Sequence, residues 1–210
     1  ILDNFCWGDC RKADRFGSLV LAAEACHQAA IAYGTPFISG KDSLNNEYRV
    51  GDEEIAIPPT LLCTAVAPVD DCAYTTSTPL KQARNLLLMV GATGADGGGS
   101  VAAELLNLPD SKAPRPDFET GPALFDALHG AISDGLVRAC HDLSEGGLAV
   151  AAAEMMLGSE LGATIDCSLL PGGDDLPDSA RLFSETPSRF LVEVEIDNQT
   201  AFMSRFRILP

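Results

Sequence analysis

Residues 142–147 combine an acid, a hydroxyl group and two glycines immediately before an apolar segment. Ser144 can cap a helix that begins there, and the glycines leave backbone N–H groups open to a ligand because they lack a Cβ atom. A helix N-terminus favours anions, and Asp142 can hold a Mg²⁺ ion that is shared with phosphate oxygens. An ordinary helix cap, with the glycines used for close packing, explains the same residues equally well.

A second glycine-containing segment, residues 34–42, approaches the P-loop pattern without meeting it. Five residues rather than four separate Gly34 from Gly40, and Asp42 stands where a P-loop has Ser or Thr. A phosphate cradle and a solvated turn both fit this segment. The glycine-rich residues 94–100 lack the G-x-G-x-x-G spacing, which disfavours a dinucleotide-binding fold.

No arrangement of Ser, His and Asp, or of Cys and His, suggests a catalytic nucleophile. The three histidines fall on predicted helices or beside an apolar segment: His27, His129 and His141. The seven cysteines are odd in number and lack C-x-x-C spacing, which favours reduced thiols in a cytoplasmic protein. Cys6 and Cys10 have no second pair that would complete a zinc site.

The charge balance of the chain excludes some classes of partner. Thirty acidic against 14 basic residues give a formal net charge of −16 at pH 7. Sequence-independent nucleic-acid binding needs a basic surface, and an acidic one discourages contact with anionic membranes. The apolar content of 46% is typical of a globular protein, and no apolar run is long enough to span a bilayer. We therefore expect no nucleic acid and no membrane among the partners.

The first part of the chain is predicted to hold one long helix among loops. Apolar residues recur at helical spacing over residues 16–30, and Gly34 supplies a helix end. Residues 37–38 form a short apolar strand, which the polar residues 39–43 interrupt. A charged turn and the stiff pair at residues 58–59 then place a domain boundary in this region.

The second part of the chain alternates predicted strands with predicted helices. The strands are expected at residues 60–69, 85–90, 163–167 and 190–196, and the helices at residues 122–138, at residues 148–157 and from residue 200. Such alternation indicates an α/β or α+β domain. The first residue is not Met, which suggests a piece of a longer protein.

Five blocks in a fixed order resemble one enzyme family, the synthetase subunit of phosphoribosylformylglycinamidine (FGAM) synthase, over its second half. The blocks are residues 3–8, residues 29–47, residues 57–62, residues 141–148 and residues 183–190. They include the strings Gly-Lys-Asp-Ser-Leu-Asn-Asn and His-Asp-Leu-Ser-Glu-Gly-Gly-Leu. The family belongs to the aminoimidazole ribonucleotide (AIR) synthetase-like superfamily.

The resemblance implies a fold of class α/β (α+β) in two parts. Residues 1–55 would be the tail of an AIR synthetase-like N-terminal domain, and residues 56–210 an AIR synthetase-like C-terminal domain truncated at its end. It implies an ATP- and Mg²⁺-dependent carbon–nitrogen ligase that converts formylglycinamide ribonucleotide (FGAR) and glutamine-derived ammonia into FGAM. Its partners would be a glutaminase subunit or domain and a small bridging subunit. The family's catalytic histidines belong to the other half, so this chain alone is expected to be inactive.

The resemblance also implies roles for four residues near the N-terminus. Asp3 and Gly40 match positions that contact ATP, and Ser43 matches the serine that contacts FGAR. Lys41 occupies a position where many relatives have a Mg²⁺-coordinating Asn. Because an ammonium group has no lone pair for a metal, Lys41 is expected to meet phosphate instead.

The resemblance gives the loop at residues 142–147 a further meaning. Asp142 and Ser144 are similar to the Mg²⁺ and nucleotide contacts of an auxiliary site in large-type relatives. Two alternatives stay open: a noncatalytic nucleotide-binding or scaffold module, and another AIR synthetase-like enzyme such as a thiamine-phosphate, selenophosphate or hydrogenase-maturation protein. The blocks at residues 3–8 and 40–46 argue against the second alternative.

Overall fold

The chain forms two compact units in the computed structural model, which describes residues 1–69, 71–107, 112–207 and 209. The units are Ile1–Asp70 and Asp71–Pro210. The first compact unit therefore extends beyond the domain boundary predicted after residue 55. The strand Thr60–Thr64 pairs with the strand Leu2–Cys6, and this pairing keeps the segment that follows the two prolines within the first unit.

The first unit contains two small sheets and one long helix. Its elements are β1 (Leu2–Cys6), α1 (Ala13–Tyr33), β2 (Ser39–Ser43), β3 (Glu47–Val50), β4 (Glu53–Ala56) and β5 (Thr60–Thr64). Strand β1 lies between β2, to which it is parallel, and β5, to which it is antiparallel. Strands β3 and β4 form a separate hairpin.

The predicted helix of the first unit is confirmed, whereas its predicted strand is displaced. Helix α1 ends at Gly34, which has a left-handed conformation (φ 62°), as the sequence indicated. The predicted strand at residues 37–38 is wrong, because the strand is formed by the polar residues Ser39–Ser43. Its backbone pairs with β1 while most of its side chains stay exposed, so apolar patterning does not reveal it.

The second unit is built on an antiparallel sheet with β8 at its centre. The strands are β6 (Leu86–Val90), β7 (Val137–Asp142) and β8 (Phe190–Val194), in the order β6-β8-β7. The helices are α2 (Val101–Leu105), α3 (Thr120–Ser133), α4 (Gly147–Leu157), α5 (Asp178–Phe183) and α6 (Gln199–Arg205). The mixed fold class predicted from the sequence is confirmed.

Each face of this sheet carries its own apolar core. Val192 and Val194 of β8 belong to a buried cluster that includes residues of α3 and α6. Leu191, which points to the opposite face, belongs to a second cluster that includes residues of α4. Because β8 is buried on both faces, it reads as a nearly continuous apolar run rather than an alternating one.

Two predictions in the second unit do not hold. Residues 163–167 do not form a strand; Asp166 instead accepts a hydrogen bond from the Ser168 amide (3.0 Å) at the start of a short 3₁₀ turn. The helix expected to reach residue 138 stops at Ser133, because Gly135 adopts φ 71° and the chain then enters β7. Among the described residues, no helix is both long enough and apolar enough to cross a membrane.

Candidate functional site

The carboxylate of Asp3 lies directly over the backbone of Gly40. The parallel register of β1 and β2 pairs these two residues. A Cβ atom added at position 40 would overlap the Asp3 carboxylate group, so only glycine fits without moving that group. The structure therefore brings together the two residues predicted to contact ATP. It also gives Gly40 a second reason to lack a side chain.

Lys41 and Ser43, the other predicted pair, lie on the opposite face of the same sheet, because successive residues of a strand alternate between faces. The Lys41 Nζ atom donates a hydrogen bond to the Ser43 Oγ atom. The Ser43 carbonyl oxygen accepts from the Trp7 amide (2.8 Å) and from Nδ2 of Asn46 (3.0 Å). Ser43 is thus fixed through its backbone, and its hydroxyl group is held beside an ammonium group.

The face that carries Asp3 is turned toward α1. Asp3 is paired with Cys63 of β5, and both residues influence Cys26 of α1. Burial raises the pKa of the Cys26 thiol, and the neighbouring Cys63 and Asp3 raise it further. The four predicted residues of this region thus form two pairs on different faces, rather than one continuous set.

Glu47 organises the loop that joins β1 to α1, a role that sequence reasoning missed. Its carboxylate accepts a hydrogen bond from the Asp9 amide (3.0 Å) and forms ion pairs with Lys12 (3.0 Å) and Arg15. The Asp9 and Lys12 partners lie 38 and 35 residues earlier in the chain. Spacing rules act over a few residues, so no local pattern could identify these contacts.

The loop at residues 142–147 lies at the N-terminus of α4, as predicted. Strand β7 ends at Asp142, and α4 begins at Gly147 after Gly146, whose left-handed conformation (φ 76°) suits glycine. The expectation that the Ser144 side chain caps this helix is wrong. The N-cap residue of α4 is Gly146, and the Ser144 hydroxyl group donates its hydrogen bond to the Asp142 carboxylate instead. The two predicted ligand-binding side chains are therefore in direct contact.

The N-terminus of α4 already holds a carboxylate. The Gly146 amide donates to Oε1 of Glu185 (2.9 Å), a residue of the block at 183–190. A Cβ atom at Gly147 would overlap the carbonyl oxygen of Ser184, so this glycine allows close packing of the same segment. Both observations support the interpretation of the two glycines as packing residues around an internal helix cap.

Arg189 holds the Glu185 segment in place, and sequence reasoning did not single it out. Its side chain is 1% exposed, and its guanidinium donates to the carbonyl oxygens of Thr186 (2.8 Å) and Ser184. Burial lowers the pKa of Arg189 to about 10. Its own carbonyl oxygen accepts from the Leu143 amide (2.9 Å), which ties the segment to the loop after β7.

A cavity of about 350 Å³ opens beside the loop and has an acidic lining. Its polar lining residues are His141, Asp142, Ser144, Glu145 and Glu154. His141 contacts Glu154 through Nε2 (3.0 Å) and lies 3.4 Å from Asp142 through Nδ1. The Ser144 hydrogen bond is the main cause that lowers the pKa of Asp142, so the cavity is negative at neutral pH. It suits a cation, or an anion that arrives with one.

The residues that line this cavity offer carboxylate and hydroxyl oxygen atoms to a cation such as Mg²⁺. Within the described part of the chain, no group of three or more His, Cys, Asp and Glu side chains is arranged to hold a metal ion. Mg²⁺ commonly takes one or two carboxylates and completes its shell with water and phosphate oxygens. The exposed Asp142 carboxylate fits that mode, whereas the Lys41 ammonium group does not.

The fold and these motifs define a class of protein. Residues 83–208 match the family described as AIR synthase related protein, C-terminal domain. The chain belongs to this family. It is also 34% identical over 205 residues to the phosphoribosylformylglycinamidine synthase subunit PurL of Lactobacillus helveticus (strain DPC 4571). That match covers 97% of this chain and 26% of the relative, so the chain spans about a quarter of the relative's length.

Solved structures share this fold. Thermotoga maritima PurL complexed with FGAR covers 98% of the chain at 19% identity with a TM-score of 0.69, and the same protein complexed with ATP gives a TM-score of 0.67 at 17% identity. Escherichia coli HypE, a hydrogenase maturation protein, covers the whole chain at 16% identity with a TM-score of 0.67. The chain spans 33%, 31% and 62% of these structures, respectively. The resemblance to FGAM synthase is confirmed by the sequence match, since fold similarity alone does not separate these proteins.

Proposed function

We propose that this chain is part of the synthetase subunit of an FGAM synthase. The whole enzyme would convert FGAR, ATP and glutamine-derived ammonia into FGAM, ADP and phosphate during purine biosynthesis in the cytoplasm. The observation that carries the proposal is the 34% identity to PurL over 205 residues. The first unit would be the tail of an N-terminal-type domain, and the second unit a C-terminal-type domain.

The proposed chemistry requires positioning and charge neutralisation more than a protein nucleophile. ATP would phosphorylate the formamide oxygen of FGAR, and ammonia would then displace phosphate. Positioning and electrostatic stabilisation dominate catalysis of phosphoryl transfer, so the lack of a nucleophilic triad among the sequence motifs agrees with this reaction. A glutaminase subunit or domain would supply ammonia, and a small bridging subunit would connect it to the synthetase.

The first unit would contribute to substrate and nucleotide binding. Asp3 and Gly40 are proposed to contact ATP. In this proposal the Asp3 carboxylate keeps the position over the Gly40 backbone that it has in the structure. Ser43 is proposed to contact FGAR from the other face of the sheet. The Lys41 ammonium group, next to the Ser43 hydroxyl, would meet the phosphate of a ligand bound there rather than a metal.

The second unit would carry the auxiliary nucleotide site. Asp142 is proposed as a Mg²⁺ ligand and Ser144 as a nucleotide contact, supported by their mutual hydrogen bond and the adjoining acidic cavity. A bound Mg²⁺ ion would neutralise phosphate charge there. Because Glu185 occupies the Gly146 amide, nucleotide phosphate would bind through Mg²⁺ and Ser144 rather than through the first amide of the helix.

An assay of the whole protein that contains this chain tests the proposed activity. We expect FGAM formation with FGAR, ATP, Mg²⁺ and ammonia, and phosphate release that depends on FGAR. A noncatalytic nucleotide-binding module, the second candidate, is favoured by the acidic cavity that lies wholly within the second unit. ATP binding without FGAR-dependent phosphate release would support that candidate and contradict the proposed ligase.

A further inference from the structure

Two cysteine side chains meet between α1 and β5 in the first unit. Cys26 lies on α1 and Cys63 on β5, and a side-chain hydrogen bond joins the two thiols. Both thiols are free; Cys26 is partly exposed and Cys63 is exposed. The two residues are far apart in the sequence, so their contact results from the fold rather than from local spacing.

The strand pairing places Cys63 on the face of the sheet that α1 covers. Cys63 is directly opposite Asp3 in the antiparallel pair of β5 and β1, so both side chains lie on one face. Phe5 and Trp7 follow Asp3 at alternate positions, and their rings are 5.5 Å apart. The Trp7 indole nitrogen donates a hydrogen bond to the Ser18 hydroxyl of α1 (2.9 Å). This face of the sheet is therefore the one that contacts α1.

The dimensions of the helix and the strand bring Cys26 to the level of Cys63. Strands β1 and β2 are parallel and α1 joins them, so the helix runs back along the sheet from the end of β1 toward its beginning. From Ser18 to Cys26 the helix advances by about 12 Å, and from Trp7 back to Asp3 the strand covers about 13 Å. Because Ser18 contacts Trp7, Cys26 lies close to the level of Asp3 and of its strand partner Cys63.

The two thiols differ in their surroundings. Burial is the main cause that raises the pKa of Cys26, and Cys63 and the Asp3 carboxylate raise it further. Cys26 is therefore a neutral thiol at pH 7. Because Cys63 is the more exposed of the two, an oxidant from solution reaches it first. This difference gives the two thiols different roles in an oxidation.

We infer that Cys26 and Cys63 form a reversible disulfide bond when the protein reacts with hydrogen peroxide. The Cys63 sulfur attacks one peroxide oxygen, the O–O bond breaks, and the other oxygen leaves as water with the Cys63 proton, so that Cys63 becomes a sulfenic acid. The Cys26 sulfur then attacks the Cys63 sulfur, the S–O bond breaks, and the oxygen leaves as water with the Cys26 proton. Each sulfur loses one electron, and the peroxide gains two. An external thiol reverses the bond by exchange.

The other cysteines of the first unit have different partners. Cys6 forms a hydrogen bond with the side-chain oxygen of Asn4 (3.2 Å), and Cys10 with a backbone carbonyl oxygen (3.5 Å). Cys6 also lies on the opposite face of β1 from the one that α1 covers, because side chains alternate along a strand. The contacts therefore favour the pair of Cys26 and Cys63 over a bond to either of these thiols.

Peptide mapping under non-reducing conditions tests the inference. The reduced 210-residue chain is treated with hydrogen peroxide, the remaining thiols are blocked with iodoacetamide, and the protein is digested with trypsin. We expect a cross-linked species of residues 16–41 with residues 50–81, about 2 Da lighter than the two free peptides together, and its loss on treatment with dithiothreitol. The same species should arise from the whole protein that contains this chain. Oxidation of Cys63 to a sulfinic acid without a cross-link would overturn the inference.

Three serine variants assign the bond, because residues 50–81 also contain Cys72. Cys26→Ser and Cys63→Ser should abolish the cross-linked species, whereas Cys72→Ser, the matched control at another exposed cysteine, should keep it. A species that survives Cys63→Ser, one that disappears in Cys72→Ser, or one that links two copies of the chain would contradict the assignment.

Thermal unfolding gives an independent readout of the same bond. A disulfide between α1 and β5 restricts the unfolded chain, so the oxidised chain should have a Tm about 5 °C or more above that of the reduced chain. Peroxide treatment should leave the Tm of Cys26→Ser nearly unchanged. Equal shifts in the wild type and in Cys26→Ser would show that the change does not come from a bond between these two thiols.

Discussion

At the scale of single residues, one contact connects Asp3 with Gly40. The two residues are 37 positions apart in the sequence, and the family resemblance implies that both contact ATP. The structure adds a physical link, because the strand register puts the carboxylate of Asp3 where a side chain at position 40 would lie. The two positions therefore depend on each other even before a ligand is considered.

Gly40→Ala should lower the stability of the 210-residue chain through this overlap. The overlapping atoms are the end of the Asp3 side chain beside an exposed residue, so the cost is at most about 1 kcal/mol, the low end for overpacking, and urea unfolding measures the loss. The double variant Asp3→Ala/Gly40→Ala should regain most of it, because the overlapping carboxylate is gone. Ser39→Ala, on the same strand, is the control and should change little. A double variant as unstable as Gly40→Ala would show that the overlap is not the cause.

Ser43→Ala in the whole enzyme should weaken the use of FGAR more than the use of ATP. A lost hydrogen bond to a charged group costs about 1.5–3 kcal/mol, which corresponds to roughly a tenfold or larger loss in kcat/KM for FGAR. Ser39→Ala again serves as the matched control. Steady-state kinetics in which only the KM for ATP rises would contradict the proposed role of Ser43.

At the scale of elements, the N-terminus of α4 shows where sequence reasoning stopped. The order of an acid, Ser and two glycines before an apolar run correctly predicted a loop and a helix start. It did not predict that Ser144 would turn to Asp142, or that Glu185 would supply the cap from 39 residues away. Likewise, the polar residues 39–43 form β2 because their backbone pairs with that of β1. Long-range contacts decided each of these features.

Glu185→Ala should destabilise the second unit by leaving the Gly146 amide without its carboxylate partner. Loss of a helix cap typically costs about 0.5–2 kcal/mol, measured here by urea unfolding. Glu145→Ala is the control, since Glu145 is exposed and lies in the same loop. Its effect should stay within about 0.5 kcal/mol. Equal losses for both variants would mean that the Glu185 hydrogen bond does not stabilise the helix.

Asp142→Asn should reduce the stabilisation of the whole protein by Mg–ADP, while its intrinsic chemistry is largely kept. Mass action gives about 2.7 kcal/mol of stabilisation when free ligand is roughly 100 times its Kd. Thermal unfolding with and without Mg–ADP measures the shift, and Asp126→Asn on α3, outside the cavity lining, is the control. An equal ligand-induced shift in the wild type and Asp142→Asn would leave this loop with a structural role alone.

At the scale of the whole molecule, the chain has two compact units and spans about a quarter of its PurL relative. The mixed fold class and the family were predicted correctly from the sequence. The family could be recognised because several motifs occur in a fixed order along the chain, even where the type of a single element was ambiguous. The predicted domain boundary lies after residue 55, whereas the first compact unit extends past Pro58 and Pro59 to include β5, which pairs with the first sheet. Pairing between strands that are far apart in the sequence cannot be predicted from local composition.

The transfer of oxygen from FGAR to phosphate tests the proposed function most directly. The whole protein is supplied with FGAR labelled with ¹⁸O at the formamide oxygen, with ATP, Mg²⁺ and ammonia, and the released phosphate is analysed by mass spectrometry. Because ATP would phosphorylate that oxygen and ammonia would displace it, each phosphate released with FGAM should carry one ¹⁸O atom. The 210-residue chain alone should release no labelled phosphate. Unlabelled phosphate from the whole protein, or no FGAM, would contradict the proposal.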